Sequence, residues 1–147
     1  MKLINSVKSL GGEIVDLDIS NKLTQAQINF INKSWDERLV LVFKKQSLDD
    51  HKLINFSKYF GELDPPGPNP YGITFLPEFP EINVISNVKN EQGTPIGNLG
   101  DGEAVWHADM TYLQLPPKAG ILYALEVPEN QGNTHFANMT LAYSDLS

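Results

Sequence analysis

Six of the ten prolines fall between positions 64 and 80. A proline lacks an amide hydrogen and holds φ near −65°, so neither a helix interior nor a central strand runs through such a stretch. The segment reads as a loop or set of turns that parts the chain in two, and long loops of this kind often carry function. Upstream of it apolar residues recur at helical spacing; downstream they come in short runs suited to strands.

In the upstream part, residues 13–17 read as a short strand. Thr24-Gln25-Ala26-Gln27 has the form of a capping box and opens a helix over about 25–38, with Ile28, Ile31 and Trp35 on one face. The continuous apolar run 39–43 predicts a buried strand. Ser47 is placed to cap a second helix over about 48–59, whose Leu53, Phe56 and Phe60 recur at helical spacing. Downstream, strands are expected near 82–86, 104–107, 120–125 and 133–137, followed by a helix from about Met139. The pattern is that of an α+β chain with no repeat, low-complexity tract or linker, hence a single domain over 1–147.

Composition narrows the function classes. At 147 residues and 41% apolar content the chain has enough material for a core. A net charge of −7 provides no basic stripe to displace counterions, which argues against a nucleic-acid partner. Without cysteine there is no disulfide, zinc–thiolate site or cysteine nucleophile. The N-terminal residues lack a signal peptide's apolar run, and no stretch is long enough for a membrane span, so the expected location is cytoplasmic, with no membrane partner.

The chemistry concentrates at Trp106-His107-Ala108-Asp109. In an extended strand alternate side chains share a face, so His107 and Asp109 point together and Trp106 and Ala108 point away. An imidazole and a carboxylate are two of the three protein ligands of the 2-His-1-carboxylate arrangement, which leaves three positions of an octahedral Fe(II) open. The pair alone is weak as a signal: three histidines and 18 acids produce a His-x-acid by chance in roughly one such chain in three. A second histidine ligand has to come from elsewhere. His51 falls at the start of an expected helix, and His135 alternates away from its neighbour Thr134, so both read as surface histidines.

The surrounding residues are more specific. The run from Gly97 to Tyr112, then Pro116-Pro117-Lys118-Ala119-Gly120-Ile121-Leu122-Tyr123-Ala124, Gln131-Gly132-Asn133-Thr134-His135-Phe136 and Ala142-Tyr143, closely resembles the Fe(II)/2-oxoglutarate-dependent dioxygenases of the TauD/TfdA family. Val40-Leu41-Val42-Phe43 and Phe60-Gly61-Glu62-Leu63 extend the resemblance through nearly the whole chain in the family's order. It implies that the fold is the opening part of a double-stranded β-helix (a cupin-like jelly roll) preceded by an α/β N-terminal section. It further implies that His107 and Asp109 are the first two iron ligands. Thr134, 25 positions past Asp109, then matches the threonine that hydrogen-bonds 2-oxoglutarate. The implied activity consumes O2 and 2-oxoglutarate and oxidises a C–H bond of a small molecule, with no catalytic residue beyond the metal ligands. Family members continue for about as many residues again. That part carries the distal histidine and, roughly ten residues later, the arginine that pairs with 2-oxoglutarate, and neither has a counterpart here. On this reading the domain is incomplete and the chain alone is inactive.

Departures from the family bear on the substrate. Sulfonate-using relatives place a His and a Tyr after the Phe-Gly-Glu-Leu segment and an Asn four residues before the iron-binding His. This chain has Pro66, Asn69 and Tyr71 after Leu63, with Glu103 four before His107. A carboxylate beside an anionic sulfonate costs about 1 kcal/mol or more, so taurine is disfavoured. Tyr71, Glu103, Met110 and Tyr112 are then the expected surroundings of a neutral or cationic organic substrate. Two further classes stay open. One is a truncated, non-catalytic fragment or pseudoenzyme that acts as a binding module, meeting a complementing C-terminal chain or forming a homo-oligomer. The other, ranked last because two ligands seldom retain iron, is a cupin-like metal-storage module.

Overall fold

The computed structural model describes residues 1–65, 72–98 and 105–146. The chain divides into two compact units, Met1–Lys52 with Tyr123–Ser147, and Leu53–Leu122.

The first unit is organised by a three-stranded sheet in the order β1-β2-β3, formed by β1 (Lys2–Asn5), β2 (Gly12–Val15) and β3 (Leu41–Val42). β1 and β2 are antiparallel, with Leu3 opposite Ile14 and Asn5 opposite Gly12, while β2 and β3 are parallel, with Gly12 opposite Leu41. Parallel neighbours need a long crossover, and helix α1 (Gln25–Arg38) supplies it. The Thr24 hydroxyl accepts from the Gln27 backbone N–H while the Gln27 side chain accepts from the Thr24 N–H, which completes the capping box read from the sequence. Ile31 and Ser34 are buried on α1, and Ile14, Leu17, Ile19 and Leu23 complete the core.

Two side chains tie the loops of this unit. Arg38 donates from Nε to the Gly11 carbonyl and from Nη2 to the carbonyls of Ser6 and Lys8, so one guanidinium holds the β1–β2 turn. Gln46 accepts from the Ile19 N–H at 2.9 Å and donates to the carbonyls of Leu17 and Lys44. The Tyr123 hydroxyl accepts from the Leu48 N–H at 3.1 Å and donates to the Gln46 carbonyl at 3.4 Å.

Several expectations are corrected. The strand at 39–43 shrinks to Leu41–Val42 and is not buried, because Leu39 ends α1 at φ 64° and Val42 stays exposed. Helix α2 (Asp50–Ser57) is shorter than 48–59, and Asp49 rather than Ser47 accepts from a first-turn amide, that of Lys52. Phe56 is buried and meets the edge of Phe60 at 5.2 Å. The segments expected as strands near 82–86, 105–107, 120–125 and 133–137 form no ladder among the described residues, since a strand exists only with a partner's amides and carbonyls beside it. Part of the first of them joins an irregular hairpin, in which the Asn98 amide donates to Val84 and that of Ile96 to Val88. Helix α3 (Met139–Ser144) starts where expected, capped by the Asn138 side chain. The content is α+β, and the described elements do not include the paired strands of a jelly roll.

Candidate metal centre

His107 and Asp109 are brought together, though not by strand alternation. The chain bends at Trp106 and turns immediately after Asp109, where Met110 takes φ 49° and its carbonyl accepts from the Leu113 amide. His107 Nδ1 lies 2.7 Å from the Val105 carbonyl oxygen and Nε2 lies 3.0 Å from Asp109 Oδ1. A carbonyl only accepts, so Nδ1 carries the hydrogen and Nε2 is the nitrogen that faces the carboxylate.

That assignment leaves two states for the Nε2–Oδ1 pair. Either Nε2 is protonated and donates to the carboxylate, or its lone pair and the carboxylate oxygen stand side by side as a donor pair for a cation. Both the Val105 carbonyl and, after it, the hydrogen bond and negative charge of Asp109 push the imidazole pKa above its usual value. The groups are open to water, with side-chain exposures of 58% and 74%. Their 3.0 Å separation fits neighbouring vertices of an octahedron, because two ligands at about 2.1 Å from one ion and at right angles stand about 3.0 Å apart. An imidazole nitrogen beside a carboxylate oxygen is also the donor set that suits iron. The residues present therefore fit two positions of such an ion.

The other expected residues are placed as follows. Met110 is half-buried and Tyr112 exposed, in the same turn as Asp109. Tyr71 and Glu103 lie outside the described residues. Thr134 is exposed and belongs to the first compact unit, whereas His107 and Asp109 belong to the second. Among the described residues no group of three His, Cys, Asp or Glu side chains converges on one point, and His51 and His135 are each exposed.

The sequence reading missed one contributor. Val105 orients the imidazole through its backbone carbonyl, which no side-chain pattern reveals.

An alpha-ketoglutarate-dependent 2,4-dichlorophenoxyacetate dioxygenase of Burkholderia sp. (strain RASC) is 27% identical over 142 residues, covering 92% of this chain and 47% of its own. Pentalenolactone F synthase of Streptomyces avermitilis is 34% identical over 143 residues, covering 94% and 45%. The chain thus spans about half the length of these curated relatives. Among solved structures, AAD-2 in complex with Mn(II) and N-oxalylglycine overlaps 44% of this chain and 23% of its own, with a TM-score of 0.42 and 23% identity. The family described as taurine catabolism dioxygenase TauD, TfdA matches residues 4–147, and the chain belongs to that family.

Proposed function

We propose that the chain supplies the first two metal ligands of a non-haem Fe(II)/2-oxoglutarate-dependent dioxygenase that hydroxylates or oxidatively cleaves a small organic molecule. Family membership supports the reaction class. The observation that carries the site is the 3.0 Å approach of His107 Nε2 to Asp109 Oδ1, with Nδ1 committed to the Val105 carbonyl. When bound, Fe(II) with 2-oxoglutarate and O2 supplies the oxidising power for the C–H bond. The protein's part is to hold, orient and exclude.

His107 offers an imidazole whose Nδ1 is turned to the Val105 carbonyl, so that Nε2 is the nitrogen a metal would take, and Asp109 offers a charged oxygen that offsets part of the cation's charge. The Thr134 hydroxyl is the proposed donor to a 2-oxoglutarate carboxylate, a contact that adds no charge. Glu103, Tyr71, Met110 and Tyr112 are the proposed substrate surroundings. The carboxylate at Glu103 favours a neutral or cationic substrate over taurine. The third ligand and the 2-oxoglutarate arginine are assigned to a C-terminal partner segment whose strands would complete a jelly roll. A location in the cytoplasm belongs to the same reading. Among the described residues no helix is long and apolar enough to cross a membrane.

A second reading, that of a non-catalytic complementing module, is favoured by the apolar side chains that stand in water between 105 and 146, among them Leu115 and Leu125 at 87% and 84% exposure. The two readings part on metal binding and turnover. Anaerobic Fe(II) titration followed calorimetrically should show binding by the parent and at least tenfold weaker binding by His107→Ala and by Asp109→Ala. Equal binding by all three chains would overturn the site. Adding 2-oxoglutarate to this chain alone should produce no visible charge-transfer band and no succinate. Succinate formation would overturn the assignment of the third ligand to a partner.

A further inference from the structure

Between 123 and 146 every residue is exposed except Tyr123 and Asn138, which are half-buried. Asn138 directs its side chain to the first turn of its own helix. Tyr123 reaches a distant segment instead. Its hydroxyl accepts from the Leu48 N–H at 3.1 Å and donates to the Gln46 carbonyl at 3.4 Å, across 75 and 77 positions of sequence. Among the described residues these are the only hydrogen bonds that join 123–146 to 1–52, so the segment is fastened at its first residue by one group. Both bonds are partly buried, and loss of the hydroxyl leaves a donor and an acceptor where water has limited access. The residue that Tyr123 grips is itself a junction. Gln46 Oε1 accepts from the Ile19 N–H, and Nε2 donates to the carbonyls of Leu17 and Lys44. The side-chain amide is bonded at both ends, and it hangs from the same main chain whose carbonyl Tyr123 holds. A shift of that main chain swings the amide off the Ile19 N–H, because hydrogen bonds weaken steeply once misaligned.

We infer that Tyr123 and Gln46 form a strap: it fastens the segment 123–146 to the loop that enters α2, and it passes the state of that fastening on to Ile19, which Tyr123 does not hydrogen-bond. Opening the strap at either end loosens the other, because both ends share the backbone of Gln46. Coupling of this kind is reciprocal, so a change made at Gln46 is felt at Leu48 as one made at Tyr123 is felt at Ile19. Thr134, the proposed donor to 2-oxoglutarate, lies on the segment so fastened. The strap itself does not depend on the reading of His107 and Asp109 as metal ligands.

The test is amide hydrogen exchange of the full chain followed by NMR. The Leu48 and Ile19 amides report the two ends of the strap, and the Gly12 amide, which donates to the Val40 carbonyl within the first unit, is the control. Tyr123→Phe should speed exchange at Leu48 about tenfold or more and at Ile19 about threefold or more, with Gly12 kept within about twofold of the parent. Gln46→Met removes the side-chain amide and keeps the main chain, and it should speed Ile19 about tenfold or more and Leu48 about threefold or more. An Ile19 amide that exchanges at the parent's rate in Tyr123→Phe overturns the inference, since the two ends are then uncoupled. Acceleration of Gly12 by the same factor as Ile19 also overturns it, because the lost hydroxyl is then felt as lower stability throughout the unit. If Tyr123→Phe does not fold by circular dichroism, Gln46→Met decides, and a Leu48 amide that keeps the parent's rate in that variant overturns the inference.

Discussion

Residues 1–52 and 105–146 have comparable apolar content to bury and treat it in opposite ways. In the first stretch Ile14 and Ile31 are each 2% exposed, the strands are paired, and Arg38 and Gln46 hold the loop carbonyls. In the second, Leu115, Leu125 and Tyr143 stand largely in water, and local order comes from one turn, one short capped helix and the Tyr123 hydroxyl. A core forms where a stretch contains both sides of its own contact. A stretch that contains only one side is ordered locally and gains little from the hydrophobic effect until something covers it. The candidate metal centre sits in such a stretch, which is why its two groups are so accessible.

The contrast can be broken most easily at the core. Ile31→Ala should lower unfolding stability by about 2–4 kcal/mol, through lost transfer energy and the cavity left behind. Leu125→Ala should change it by less than about 0.5 kcal/mol. Urea unfolding of both variants measures the difference, and equal losses would show that the C-terminal stretch is buried in solution. Arg38→Ala should cost about 1–2 kcal/mol by removing the guanidinium's bonds to the carbonyls of Gly11, Ser6 and Lys8, and Arg38→Lys should recover only part of that, since a single ammonium cannot reproduce the fork.

The smallest expected effect is one of pH. Asp18 accepts from the Ser20 amide and from the Asn21 side chain, and the Ser20 hydrogen bonds foremost hold its carboxyl below the usual 3.8. A carboxylate with a depressed native pKa contributes stability that is present above 3.8 and lost as pH falls through the lower native value. The melting temperature of the parent should therefore drop slightly more steeply below pH 4 than that of Asp18→Asn. Parallel slopes would show that this loop does not hold the carboxylate in solution.

What was legible in the sequence was local. The Thr24–Gln27 capping box needs only four residues to state itself, and α1 ends at Arg38 as its apolar spacing predicts. β1 escaped notice because Lys-Leu-Ile-Asn is too short to show a period, and its strand character comes from pairing with β2. Ser47 and Asp49 are both able caps, and which one is used depends on where the chain enters α2. The expected strands near 120–125 and 133–137 have the right residue types, but propensity does not make a ladder without a neighbour. At the site, the His107–Asp109 pairing was readable, whereas the turn that follows it takes Met110 to positive φ, a conformation its side chain does not announce.

Gln46 shows how one uncharged group can set the phasing of two chain segments. Its amide reads a donor at Ile19 and acceptors at Leu17 and Lys44, so it senses the polarity of the passing backbone and not merely its proximity. Sliding either segment by a single residue would present the same end of the amide with the wrong partner. The loop entering α2 is thereby indexed to the one leaving β2, a digital fit in a part of the molecule where hydrophobic packing alone would tolerate slippage.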